Sequence, residues 1–402
     1  MAVSTITSGP TEATRKRYKA DYVKSAFYAK LYDMFAVPAM ADLKAMSEST
    51  SVQLNFLADM QINEHVISDT TDLVPQQLHD ASVTITPTTR MDGIMDTEEL
   101  LNAAYTDYGK RRHEVLGRNL ERTIDHLAMK AMINGSLVHR AAARASLDAG
   151  TASHRISDTS LSVVEALFSS RFVPAFVTKD AKVAMPPWVA MMGPELFHDV
   201  RSGGNIVDVA KYQDKRILLN KELGQFGSFR FVVTPYAKKF GAAGLDNASA
   251  VATTLTSAAK ALDKVVNVAA DTNIAVGQKI TIGTEETGTT LYPMNEEVTV
   301  VSISTLAITI AGGGVNGGLQ FGHASGEGFR NADNVYTAAY GGPASIAKVF
   351  DQKVGEYGKI MGPKIYGIAE QWVTLTWKWK GNYDRVSESW LMRGEYPSSL
   401  DA

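Results

Sequence analysis

Cysteine is absent from the 402-residue chain. That removes disulfide staples, thiolate zinc sites, iron–sulfur clusters and thiol nucleophiles together. Charge of one sign is also lacking: 40 Lys and Arg against 43 Asp and Glu leave a formal net charge of -3. A dedicated nucleic-acid binder carries a basic footprint that this balance does not supply. No apolar run approaches the roughly 20 residues of a membrane-spanning helix, and no membrane partner is expected. The opening stretch, MAVSTITSGPTEATRKRYKADY, has no apolar core after its basic residues, so a secretory signal is not expected either.

Catalytic motifs are equally scarce. The eight histidines show neither HxxxH nor HxH spacing, which leaves a helix-borne zinc site unsupported. Gly312 to Gly317 (GGGVNG) matches GxGxxG, but further glycine-rich sequence follows where a dinucleotide site needs a helix. A β-turn is the better reading. Gly283 to Gly288 (GTEETG) is followed by Thr289 where a phosphate-binding loop needs lysine. GxSxG does not occur. No catalytic, cofactor-binding or metal-binding residue is therefore expected, and the chain is read as a non-enzyme.

What is present is architectural. Residues 1 to about 20 read as an extended arm bearing Arg15, Lys16, Arg17 and Lys19, with a solvated terminus as the plainer alternative. Asp21 to Met46 carries Tyr22, Ala26, Tyr28, Leu31, Tyr32 and Phe35 at helical spacing, interrupted at Pro38. Ser51–Leu57 and Ala81–Thr86 alternate like strands around a polar tip containing Asp69 and Asp72. This predicts a projecting hairpin, which cannot bury both faces in its own chain. From Asp96, apolar residues recur at helical spacing as far as Ala131, with Asp96 and Glu99 spaced as a capping box and Asn134-Gly135 as a C-cap. The expectation is one spine helix of about 38 residues, or about 57 Å.

Farther on, Asp158 is expected to cap a helix over 159–170, Lys182–Met192 to form a strand broken at Pro186-Pro187, and Gly193-Pro194-Glu195 to open another helix. Leu223–Tyr236 reads as a turn followed by a strand. From Gly241 to about Asn334 the composition shifts to Ala, Gly, Thr and Val with short alternating strands, the pattern of an inserted β-barrel or sandwich. Helical potential returns over Gly342–Asp351. Gln371–Lys380 (QWVTLTWKWK) is an alternating strand; its tryptophans and lysines suit either a core-facing strand or an aromatic-basic nucleic-acid strip.

This order of parts resembles the HK97-like fold of tailed-phage major capsid proteins, in its podophage-type branch. The resembling stretches are VISDTTDLVPQQLHDASVTITPTTRMDGIMDTEEL (Val66–Leu100), KELGQFGSFRFVVTPY (Lys221–Tyr236), NVYTAAYGGPASIAK (Asn334–Lys348) and WVTLTWKWKGNYDRV (Trp372–Val386). Ser68–Leu73 lacks the Glu-Gly pair that many relatives carry near the loop tip. The resemblance implies an α+β chain. Its expected parts are an arm and first helix over 1–47, an extended loop over 48–95, and a spine helix with the first part of the peripheral and axial domains over 96–242. An inserted all-β module over 243–334 and a return of those domains over 335–402 complete it.

The function implied is self-assembly into hexamers and pentamers of an icosahedral shell around double-stranded DNA, in the virion, after assembly in the host cytoplasm. Candidate intersubunit contacts are Arg15, Lys16, Arg17, Asp69, Asp72 and Arg90. Implied partners are further copies of the chain, a portal, a separate scaffolding protein, a possible decoration protein and DNA held by diffuse contacts. The short arm is the reason scaffolding is expected from another protein. No lysine, asparagine and acid are marked for a covalent link between subunits, so a non-covalent shell is expected. Three other readings stay open: an encapsulin-like compartment shell, a tail or adhesin component whose β-module binds a glycan, and a hydrolase built on dispersed Asp and His.

Overall fold

The computed structural model describes residues 31–38, 51–57, 80–103, 108–142, 147, 150–175, 188–202, 207–208, 222–243, 252–284, 294–314, 317–330, 333–351, 354–366 and 371–401. The chain divides into two compact units, one formed by 1–128 with 346–386 and the other by 129–345 with 387–402.

The first unit is organised by the long strand Trp372–Arg385. It pairs antiparallel with Thr88–Thr97, Lys359–Tyr366 and Ile346–Phe350, and the last of these pairs in parallel with Ala36–Pro38. Alternation along it puts Leu375, Trp377, Trp379, Tyr383 and Arg385 in the interior. The core-facing reading of its tryptophans therefore holds for Trp377 and Trp379, while Trp372 stays partly exposed. The spine helix Tyr108–Ile133 presents Arg112, Leu116, Leu120, Ile124 and Ala128 as a buried stripe at four-residue spacing. Trp377 Nε1 donates to Asn119 Oδ1 of that helix at 2.8 Å. Gly358, at φ +74°, lets the turn before Lys359 approach Leu120; a Cβ there would lie 3.1 Å from a leucine methyl.

Four local expectations change. The described part of the first predicted helix is a single 3-10 turn, Asp33–Phe35, followed by the strand Ala36–Pro38. Leu31, Tyr32 and Phe35 are spaced like a helix stripe but act as anchors, each buried. The spine does not start at Asp96. Strand Thr88–Thr97 runs through that residue, a short helix Glu98–Ala103 follows, and the long helix begins at Tyr108. Thr97 Oγ1 accepts from Leu100 N–H at 3.3 Å and takes the capping role, because Asp96 is committed to Arg112. Ser157, not Asp158, caps helix Asp158–Ser170 through a reciprocal pair with Ser160. Finally, Ile346–Phe350 is a strand and not a helix: four of its five residues are buried, which erases any periodicity.

In the second unit a mixed sheet carries strands Trp188–Met192, Phe229–Val233, Asp333–Gly341 and Leu391–Tyr396 at its centre. Phe168 of helix Asp158–Ser170 packs with Trp188 and Phe229, at centroid distances of 5.4 and 5.7 Å. The helix Pro194–Ser202 adds Leu196 and Val200 to the same core. Residues 252–330 form a separate six-stranded antiparallel sheet in the order 252–254, 328–330, 279–283, 296–304, 307–311, 265–267. Leu255 bridges Val268, and Ala269 N–H bonds Thr254 O at 2.9 Å, so the last strand meets the first. The sheet is a closed barrel around Ile280, Ile282, Val298, Ile308, Ile310 and Phe329.

Candidate assembly surface

Strands Val52–Leu57 and Asp80–Ile85 pair in continuous register, Val52 opposite Ile85 and Leu57 opposite Asp80. Val52, Leu54, Val83 and Ile85 share one face, which packs on Ala347 and Val349 at the hairpin base. Asp80, Ala81 and Ser82, nearer the tip, are exposed. A two-stranded ribbon is marginal in water by itself, and no packing partner of its outer part is found among the described residues.

The segment ahead of the hairpin is held by a buried polar cluster. Asp125 Oδ1 on the spine accepts from Tyr32 N–H (2.8 Å) and Asp33 N–H (3.1 Å). Asp33 Oδ1 accepts from Lys348 Nζ at 2.6 Å and from the Tyr383 hydroxyl, and Lys348 Nζ also reaches Glu356 Oε1 at 3.0 Å. Burial first, then the charge of Asp33, pushes Tyr383 far above the ordinary phenol range, so it remains a donor. Farther toward the start of the spine, Arg112 Nη1 meets Asp96 Oδ2 at 2.6 Å with both side chains buried, tying strand Thr88–Thr97 to the spine. The arm root and the strand that follows the hairpin are thus both tied to one helix.

The ribbon of Thr88–Thr97, Trp372–Arg385 and Lys359–Tyr366 has a contrasting outer side. Met91, Ile365 and Tyr366 are 61–64% exposed, and Tyr366 stacks on Trp372 with centroids 6.3 Å apart. The outer edge of Lys359–Tyr366 has no strand partner among the described residues. Its register shifts between Met361 and Lys364, where Gly362 and Pro363 lie; proline blunts an edge by removing an N–H. Beside it, Gly117, Leu120 and Glu121 of the spine and Tyr357, Gly358 and Ile360 line an open groove of about 440 Å³. An open, mostly apolar groove with one carboxylate offers a seat for a chain segment and no constellation for catalysis.

Of the six candidate contacts, Arg15, Lys16, Arg17, Asp69 and Asp72 lie outside the described residues. Arg90 is described, and it serves its own chain. Its Nη1 donates to Gly381 O at 3.1 Å, and its guanidinium sits 5.9 Å from the Trp379 ring centroid. Burial lowers its pKa from the usual value. The sequence reading missed Asp33, Lys348, Glu356 and Tyr383. One signal was visible: a single lysine inside the apolar run IAKVF.

The barrel carries its own buried ionic group. His323 Nδ1 lies 2.7 Å from Glu327 Oε2 and its Nε2 lies 3.0 Å from Glu296 Oε1. Glu296 also accepts from the N–H groups of Gln320 (2.8 Å) and Phe321 (2.9 Å). Burial alone would lower the imidazole pKa, but hydrogen bonds and charge from the two carboxylates outweigh it and raise the value above 6.5. With a carboxylate at each ring nitrogen, both must donate, which is the protonated form.

No family model and no curated protein matches the chain. Solved structures do. The capsid of Ralstonia phage GP4 matches with a TM-score of 0.51 at 8% identity, covering 87% of this chain and 84% of that one. The capsid of cyanophage P-SCSP1u matches at 10% identity over 96% of this chain and 94% of that one, with a TM-score of 0.49. The cyanophage Pam1 capsid asymmetric unit matches at 10% identity over 88% and 86%, with a TM-score of 0.49. The Ralstonia phage likeness spans most of both chains and establishes that this chain has the HK97-like capsid fold anticipated from its sequence.

Proposed function

We propose that this chain is the major capsid protein of a double-stranded DNA phage. Its copies form hexamers and pentamers that close into an icosahedral shell around the genome. The observation that carries this reading is the fold shared with the capsid of Ralstonia phage GP4 across 87% of the chain. The surfaces agree with it: a hairpin with one face short of partners, a ribbon with an open edge, and apolar side chains left in water.

In this reading the hairpin beyond Asp80 lies over a neighbouring copy and the arm ahead of Leu31 reaches another. Each contact is modest, and closed symmetry repeats it until the shell is stable. The barrel is an added module with its own core. The chain is not an enzyme, a separate scaffolding protein and a portal act in assembly, and DNA is held by diffuse contacts that a net charge of -3 permits. Negative-stain imaging of the purified protein is the test: closed shells or hexamer sheets are expected, whereas rings or fibres contradict the proposal.

A further inference from the structure

The cluster at the arm root has the makings of a covalent bond as well as an ion pair. Lys348 is 2% exposed and Asp33 9% exposed, with Nζ and Oδ1 2.6 Å apart. The ammonium is walled by aromatic rings, with centroids of Tyr357, Tyr383 and Phe350 at 5.5, 5.7 and 6.0 Å. A third acid, Glu356, touches the same nitrogen at 3.0 Å, and the Tyr383 hydroxyl donates to the same Asp33 oxygen. Lys348 thus touches both Asp33 and Glu356, and Asp33 also takes the Tyr383 hydroxyl: a buried nucleophile and electrophile in contact, with a proton carrier on the first and a carbonyl-polarising donor on the second.

We propose that Lys348 and Asp33 condense, within one chain, to an isopeptide bond. Proton transfer from Nζ to the Asp33 carboxyl across their 2.6 Å contact gives a neutral amine and a neutral acid, the pair that condenses. The Nζ lone pair attacks Cγ of Asp33 and the N–C bond forms, while Tyr383 O–H stabilises the charge developing on Oδ1. Glu356 takes a proton from the nitrogen and returns it to the departing Oδ2 hydroxyl; the Cγ–Oδ2 bond breaks and water leaves. In sum, one ammonium and one carboxylate become one amide and one water, with no oxidant or cofactor. Contact within a folded core supplies the high effective concentration that the uncatalysed condensation lacks. The product staples the arm root to strand Ile346–Phe350, so tension on the arm cannot peel Ala36–Pro38 from its parallel partner. The link is internal to one subunit and is compatible with a shell whose subunits separate on a denaturing gel. It does not depend on the capsid reading.

Intact-mass measurement of the full-length, folded protein after denaturation tests the bond. The expected result is a mass lower than that of the sequence by one water, with a protease digest yielding a branched peptide that joins Asp33 to Lys348. Glu356→Gln keeps an acceptor for the lysine but cannot carry the proton, so the folded variant is expected at full mass without the branched peptide. Wild-type protein at full mass overturns the proposal. So does a lost water that maps to a succinimide at Asp92-Gly93 with no branched peptide. A branched peptide as abundant in Glu356→Gln as in wild type overturns the role given to Glu356.

Discussion

The barrel of residues 252–330 and the ribbon of the first unit are both antiparallel β-structure, yet they treat their edges in opposite ways. The barrel joins its last strand to its first, and its core of Ile, Val and Phe side chains is complete. The ribbon leaves an edge open at Lys359–Tyr366 and shows Met91, Ile365, Tyr366 and part of Trp372 to water. The barrel also exposes Leu262, Val265, Val276 and Met294, so it is the open edge, a liability in a lone protein, that sets the ribbon apart. In the proposed shell, one part of this chain is finished on folding and the other only on assembly.

Two large core truncations would break that contrast most forcefully. Trp379→Ala in the ribbon and Phe329→Ala in the barrel each remove a fully buried aromatic and should cost about 3–5 kcal/mol. In denaturant unfolding with electron microscopy of the same samples, Trp379→Ala should abolish assembly. Phe329→Ala should melt the barrel early while shells still form. Equal loss of assembly in both would erase the distinction.

A smaller effect sharpens the barrel side. His323→Gln leaves the buried Glu296 and the half-buried Glu327 without their cation and should lower barrel stability by about 1–3 kcal/mol. Because the folded imidazole pKa is raised, its stabilisation is fully present below 6.5 and is lost as pH rises through the folded value. His139, on the mixed sheet of the second unit, has the opposite sign. Burial lowers its pKa, so its neutral form favours folding at higher pH, and that benefit is lost as pH falls below 6.5. Thermal melts across pH should show the barrel weakening with alkali in wild type, and a flatter profile in His323→Gln.

The smallest effect on the isolated subunit belongs to the ribbon's outer side. Tyr366→Ser should change subunit stability by about 0.5 kcal/mol or less, since the ring is mostly exposed. The same change should weaken assembly, raising the critical concentration seen by light scattering, because an aromatic at an interface centre is commonly worth about 2 kcal/mol. Unchanged assembly would remove the Tyr366–Trp372 stack from the contact surface.

Much of the scaffold was legible because it rests on local periodicity. Leu116, Leu120 and Ile124 repeat at four, and Trp377 and Trp379 alternate with Lys378 and Lys380, so the spine and the long strand declared themselves. The barrel strands at 279–283 and 296–304 did so for the same reason. Features set by tertiary contact did not. Ile346–Phe350 is buried on both faces and has no period to read. Asp96 has the spacing of a cap, but Arg112, 16 residues on, claims its carboxylate. Asp33 and Lys348 lie 315 residues apart, a pairing that no local rule exposes. Arg90, one of the candidate contacts, also makes an internal cation–π contact with Trp379, far along the chain, which no local pattern exposes.

Backbone hydrogen exchange, compared between free subunits and assembled particles, tests the division between finished and unfinished β-structure most directly. Amides of Lys359–Tyr366 and Asp80–Ile85 should gain strong protection on assembly, while those of 279–283 and 296–304 in the barrel keep the rates they have in the free subunit. Barrel amides that slow on assembly, with the ribbon edge and hairpin unchanged, would contradict it.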